Sequence, residues 1–139
     1  MNPSREKFYR GLFFVAAIYD VVLGVIFTFF YKFAFKLIGI PEKLPEFEAY
    51  ISLIGAFLFV IGVAYYLIYR GDLWKNYDLI IVGTLYKLAY CSIVFYYFAI
   101  GNYPHIIFVT VFGVLDLIFF ILMLECLIFL KANPRPHLK

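Results

Sequence analysis

The chain has 139 residues, of which 65% are apolar, 23% aromatic and only 15% charged. That is the length of one domain, with too little charge for a soluble globule of this size. The net charge of +3 is divided between the ends and the loops without forming a basic stripe, which argues against nucleic acid as a partner.

Residues 1–10 are a polar, basic lead carrying Arg5, Lys7 and Arg10. The first apolar run, 11–30, has about 20 residues, enough to cross a hydrocarbon core of roughly 30 Å. It superficially resembles a signal peptide. It is, however, long for one, contains Asp20 and ends in Phe29-Phe30-Tyr31 rather than small residues, so a retained membrane anchor is expected. Ala16, Ala17, Asp20 and Gly24 fall on one side at helical spacing. Small residues there let a neighbouring backbone approach around the single charge.

Residues 31–45 differ in character. Lys32 and Lys36 are spaced by four, with Phe33, Phe35, Leu37 and Ile38 between and after them. Two readings stand: a short amphipathic helix in the headgroup region with its lysines reaching for water, or a plain connecting loop. Pro41 and Pro45 stop a helix, and Glu42, Glu46 and Glu48 make the linker polar.

The second run, 49–69, holds no charge before Arg70. Ser52, Gly55, Phe59, Gly62, Tyr66 and Tyr69 recur at three and four residues, predicting a narrow packing face of small and aromatic side chains in which Gly55 and Gly62 admit a close neighbour. A polar turn follows over 70–78, where Trp74 and Tyr77 are expected as interface anchors. The third run, 79–100, has Lys87 inside it, with Gly83, Tyr90 and Cys91 on the same face. Residues 101–105 supply Gly, Asn and Pro for a tight turn. The fourth run, 106–130, is long enough to span with tilt and carries Gly113, Asp116 and Glu125. The tail, 131–139, is basic and broken by proline. All six prolines lie outside the four runs, which predicts four uninterrupted helices.

The expected fold is therefore an all-α integral membrane protein, a single domain over 1–139. It would be an antiparallel four-helix transmembrane bundle with a short amphipathic segment after helix 1. The orientation follows from the lysines and arginines. Arg5, Lys7, Arg10, Arg70, Lys75, Lys131, Arg135 and Lys139 would share one side, and only Lys32, Lys36 and Lys43 the other. Both termini are thus expected in the cytoplasm.

Three runs hold one deep charge each. At 1.5 Å per residue, Lys87 lies ~12 Å into its run and Asp20 ~13.5 Å into the first, counted from the same side. Asp116, entering from the opposite side, lies ~15 Å in, the middle of the core. One lysine between two aspartates offsets desolvation and leaves a formal −1 unless one carboxyl keeps a proton. Tyr19, Tyr65, Tyr86 and Tyr90 are candidate hydrogen-bond donors to the cluster, and Glu125 is an alternative partner for Lys87. Two roles stay open. The cluster fixes helix register and orientation, or it moves protons or binds a polar headgroup, as intramembrane ionisable groups commonly do.

Catalytic signals are weak. Cys91 and Cys126 are far apart and form no CxxC, and His105 and His137 fall in a turn and in the tail, without metal-ligand spacing. Thr84 and Ser92 lack a nearby histidine. Cys91 stands four residues from Lys87, where a buried inert thiol is the favoured reading over an activated one. No cofactor is expected.

The order Gly62-Val63-Ala64-Tyr65, then Gly83-Thr84-Leu85-Tyr86-Lys87, then Asp116-Leu117 resembles small uncharacterised bacterial four-helix membrane proteins, similar in general layout to the DoxX-like group. The resemblance implies a bacterial inner-membrane bundle and no reaction, since the chain lacks the cysteine pair of thiol-active DoxX relatives. Two functions are carried forward. One is a non-catalytic accessory or structural subunit of a larger membrane complex, or a homo-oligomer. The other is a binder or carrier of a lipid, quinone or proton. The expected partners are the lipid bilayer, a membrane protein or second copy, and, for the second function, an amphiphilic ligand.

Overall fold

A computed structural model describes residues 3–135 of the chain; His137 and Lys139 lie outside them. The described residues are 82% helix, with no strand among them. Four helices are long and apolar enough to cross a membrane: α1 (Pro3–Phe29), α3 (Ala49–Arg70), α4 (Tyr77–Ala99) and α5 (Ile106–Ala132). A short helix, α2 (Tyr31–Leu37), and a 3-10 turn at Pro41–Lys43 connect α1 to α3.

Helix α1 takes in the basic lead instead of starting at residue 11. Proline is tolerated in the first helical turn because its missing N–H has no partner there in any case. The buried positions Tyr9, Leu12, Phe13, Ala16, Ala17, Asp20, Gly24 and Phe27 recur every three or four residues and form one inward stripe.

The inward stripe of α3 is Ile51, Gly55, Leu58, Gly62, Tyr65 and Ile68. Gly55, Gly62 and Tyr69 lie on the expected face, but Phe59 and Tyr66 are exposed, and Leu58 and Tyr65 point inward instead. Phenylalanine is content facing lipid, so apolar character alone does not separate inside from outside in such a helix.

α1 packs most extensively on α3, and α4 on α5. The first pair is nearly backbone to backbone. A Cβ added to Gly24 would lie 2.5 Å from the Phe59 nitrogen and 2.8 Å from the Gly55 oxygen, and one on Gly62 would lie 2.7 Å from the Val21 nitrogen. Contacts between the two pairs are sparser, and side chains carry much of that junction.

The fourth spanning helix is not a continuous α-helix, contrary to expectation. Val109–Leu115 is π-helical, and Asp116 is the first residue of the α-helical part that follows. Such wide turns are rare and usually brief. Gly113 sits inside the stretch, where an added Cβ would meet only the side chains of Val94 and Phe95, at 3.2–3.3 Å.

The two ends close differently. At one, Arg135 reaches Asp72 at 2.7 Å and Glu6 at 3.2 Å, and its guanidinium lies 4.0 Å from the centre of the Trp74 ring. Trp74 donates to the Asn133 carbonyl at 2.8 Å, and Leu73 in the same turn is fully buried. Trp74 and Tyr77 pack against the core at this end. At the other, Tyr31 donates to Glu48 at 2.8 Å, which ties α2 to the start of α3. That bond holds the Tyr31 phenol above its usual range. Gly101, at φ 73°, makes the turn between α4 and α5.

Candidate functional site

Asp20, Lys87 and Asp116 meet. Helical spacing places Asp20 on the small-residue stripe of α1, Lys87 four residues beyond Gly83 on α4, and Asp116 just past the π-helical stretch of α5. The Lys87 Nζ donates to Asp20 Oδ1 at 3.0 Å and to Asp116 Oδ1 at 2.9 Å. All three residues are essentially unexposed, at 0%, 0% and 1%. Asp20 Oδ2 is also 3.0 Å from Nζ, yet makes no hydrogen bond of its own. The lysine thus straddles both oxygens of one aspartate and one oxygen of the other, on helices from both packing pairs.

Aromatic rings complete the enclosure. Nζ lies 5.0 Å from the Phe119 ring centre, 5.1 Å from Tyr19 and 5.6 Å from Tyr65. A cation near ring faces is attracted by their quadrupoles, more strongly when water is excluded. Phe119 was not singled out from the sequence. Its one signal is its spacing, three residues after Asp116 and so on the same helical face.

The predicted supporting tyrosines act otherwise than expected. None donates to a carboxylate. Tyr19 donates to the Val111 carbonyl at 2.7 Å, within the π-helical stretch. Tyr65 donates to the Gly83 carbonyl at 2.6 Å, and Gly83 clears the space for it: a Cβ there would lie 2.6 Å from the Tyr65 ring. Both hydroxyls are engaged by backbone carbonyls, which leaves the rings rather than the oxygens facing the cation. The Tyr86 and Tyr90 rings lie 4.6 Å apart, tilted at 43° to each other. Thr84 is used within its own helix, donating to the Ile80 carbonyl.

Glu125 is not a partner of Lys87. It accepts from Arg5 and Tyr9 near the end of the molecule, because α1 begins well before residue 11 and carries Arg5 alongside it. Cys91 and Cys126 are both buried free thiols, and among the described residues no group of three or more His, Cys, Asp or Glu could hold a metal ion.

Apolar grooves of about 150 to 440 Å³ run along the helices among the described residues, and their linings do not include the triad. One, of about 420 Å³, lies between Phe27, Ile51, Ala89, Tyr90 and Phe112. The triad is thus enclosed by protein, and it can hold helices together and hold charge or protons.

Comparison with protein-family models, with curated proteins and with solved structures returns no match.

Proposed function

We propose that this chain is a small non-catalytic integral membrane protein, serving as an accessory or structural subunit of a larger membrane complex or as a homo-oligomer. The observation that carries this reading is the closure of the triad. The deepest ionisable groups are spent on one another, at 2.9–3.0 Å and without exposure, in the manner of a lock that sets helix register. The connections from α3 to α4 and from α4 to α5 are short, and the outward faces are apolar. Purification in mild detergent tests it. The account expects a stable oligomer or a co-purifying membrane protein, and a clean monomer with nothing bound would contradict it.

In this reading the four long helices form an antiparallel bundle in a bacterial inner membrane, with both termini in the cytoplasm and α2 lying in the opposite headgroup region. Support comes from the excess of lysine and arginine on one set of loops and ends. Single cysteines at Glu46 and Asn76, in a chain lacking Cys91 and Cys126, read out the orientation. A reagent that cannot cross the membrane should label position 46 from outside intact cells; labelling of position 76 alone would reverse it.

A second reading has a specific observation in its favour. The groove of about 420 Å³ beside Tyr90 has the apolar walls and single polar group suited to an amphiphile such as a lipid or quinone. Mass spectrometry of the protein released from detergent decides it. A retained amphiphile that Ile93→Trp displaces supports binding there, and spectra of bare protein refute it.

A further inference from the structure

Lys87 brings one positive charge to the triad, and Asp20 and Asp116 bring two negative ones. Among the described residues no second cation pairs with either aspartate. Fully ionised, the site would hold one uncompensated negative charge. The tyrosines beside it give no relief, because Tyr19 and Tyr65 have committed their protons to the carbonyls of Val111 and Gly83. Asp20 Oδ2 is left without a hydrogen bond.

We propose that the Asp20–Lys87–Asp116 cluster is a proton-binding site, which holds one proton on its pair of carboxyls and so resides in the bilayer as an electroneutral unit. The proton comes from water as the helices assemble. An ordinary carboxylate titrates about three pH units below neutrality, a small step to overcome compared with enclosing an unpaired charge in a medium of low dielectric. The neighbouring titratable groups do not alter the count. They are Tyr19 on α1, Tyr65 on α3, and Tyr86, Tyr90 and Cys91 on α4, phenols and a thiol that are ordinarily neutral at pH 7. The remaining acid of α5, Glu125, is held by Arg5 and Tyr9 away from the triad. The proton belongs to the pair, and the two aspartates titrate together. This inference is independent of whether the chain is a subunit or a carrier, since it concerns the charge state of the closed site alone.

Infrared spectroscopy of the full chain in lipid nanodiscs at neutral pH tests it, with aspartate labelled by carbon-13 at the side-chain carboxyl. The expected result is a protonated-carboxyl C=O band, amounting to one group per chain, that the label shifts. Asp20→Asn or Asp116→Asn should abolish it, because the remaining carboxylate then pairs with Lys87 one to one. Lys87→Met should double it. The double variant Asp72→Asn/Asp78→Asn, which alters the chain's other two aspartates, should leave it unchanged. The labelled unmutated protein is decisive even where a variant fails to fold: no band at neutral pH overturns the proposal, as does a band that the label does not move. A band lost in the Asp72/Asp78 variant, or kept in both Asn variants, overturns it too.

Discussion

The side chains around the triad divide into those that carry charge and those that position it. Asp20, Lys87 and Asp116 were legible in the sequence because each is a solitary charge deep in an apolar run, a placement that costs free energy unless a partner is found. Their common depth followed from helical rise alone. The tyrosines were legible as neighbours but not in their roles. A phenol can point its oxygen or its ring at a cation, and which it does depends on the backbone carbonyls nearby. For Tyr19 that carbonyl is Val111, and the sequence contains no sign that the backbone there is available. Tyr19→Phe keeps the ring beside Lys87 and removes this bond alone. A hydrogen bond between membrane helices is worth about 0.6 kcal/mol on average and at most about 1.7, so the variant should melt slightly earlier in detergent while the triad stays intact. A loss several times larger would mean that the Tyr19 hydroxyl, rather than its ring, supports the ion cluster.

At the scale of elements, helix existence was readable from length and hydropathy, whereas the internal geometry of α5 was not. The π-helical turns over Val109–Leu115 contain neither proline nor a charge, and Thr110 and Gly113 are no distinctive signal. The basic lead of α1 was missed for a related reason: polar residues beyond the hydrocarbon edge extend a helix without adding to its apolar run. The glycines show how far a sequence pattern carries. Gly24 and Gly113 look alike in the sequence, but the first faces backbone at 2.5 Å and the second faces movable side chains at 3.2–3.3 Å. Gly24→Ala should therefore push α1 from α3 and cost at least the ~1–3 kcal/mol typical of overpacking. Gly113→Ala should be tolerated, with a change below about 1 kcal/mol, since Val94 and Phe95 need move only a few tenths of an ångström. Thermal melting of the two variants in the same detergent checks the contrast, and equal losses would show that the α1–α3 contact is looser than described.

Across the whole molecule, close packing joins α1 to α3 and α4 to α5, while Lys87 on α4 reaches across to Asp20 on α1 as well as to Asp116 on α5. A polar clasp of Arg135, Asp72 and Glu6 closes one end, but its members are partly exposed and such pairs contribute little when water reaches them. The central claim is thus that the buried triad couples the helices across the pair junction. Removing Lys87 alone strands two carboxyls, and breaking a buried pair by deleting one partner typically costs ~3–5 kcal/mol. Replacing all three ionisable groups deletes the penalty with the attraction. The direct measurement is the thermal stability of Lys87→Met beside that of the triple variant Lys87→Met/Asp20→Asn/Asp116→Asn, with the separate substitutions completing the cycle. The account predicts that the triple variant recovers much of the stability lost in Lys87→Met. Additive losses from the three substitutions would contradict it and show that these residues act independently.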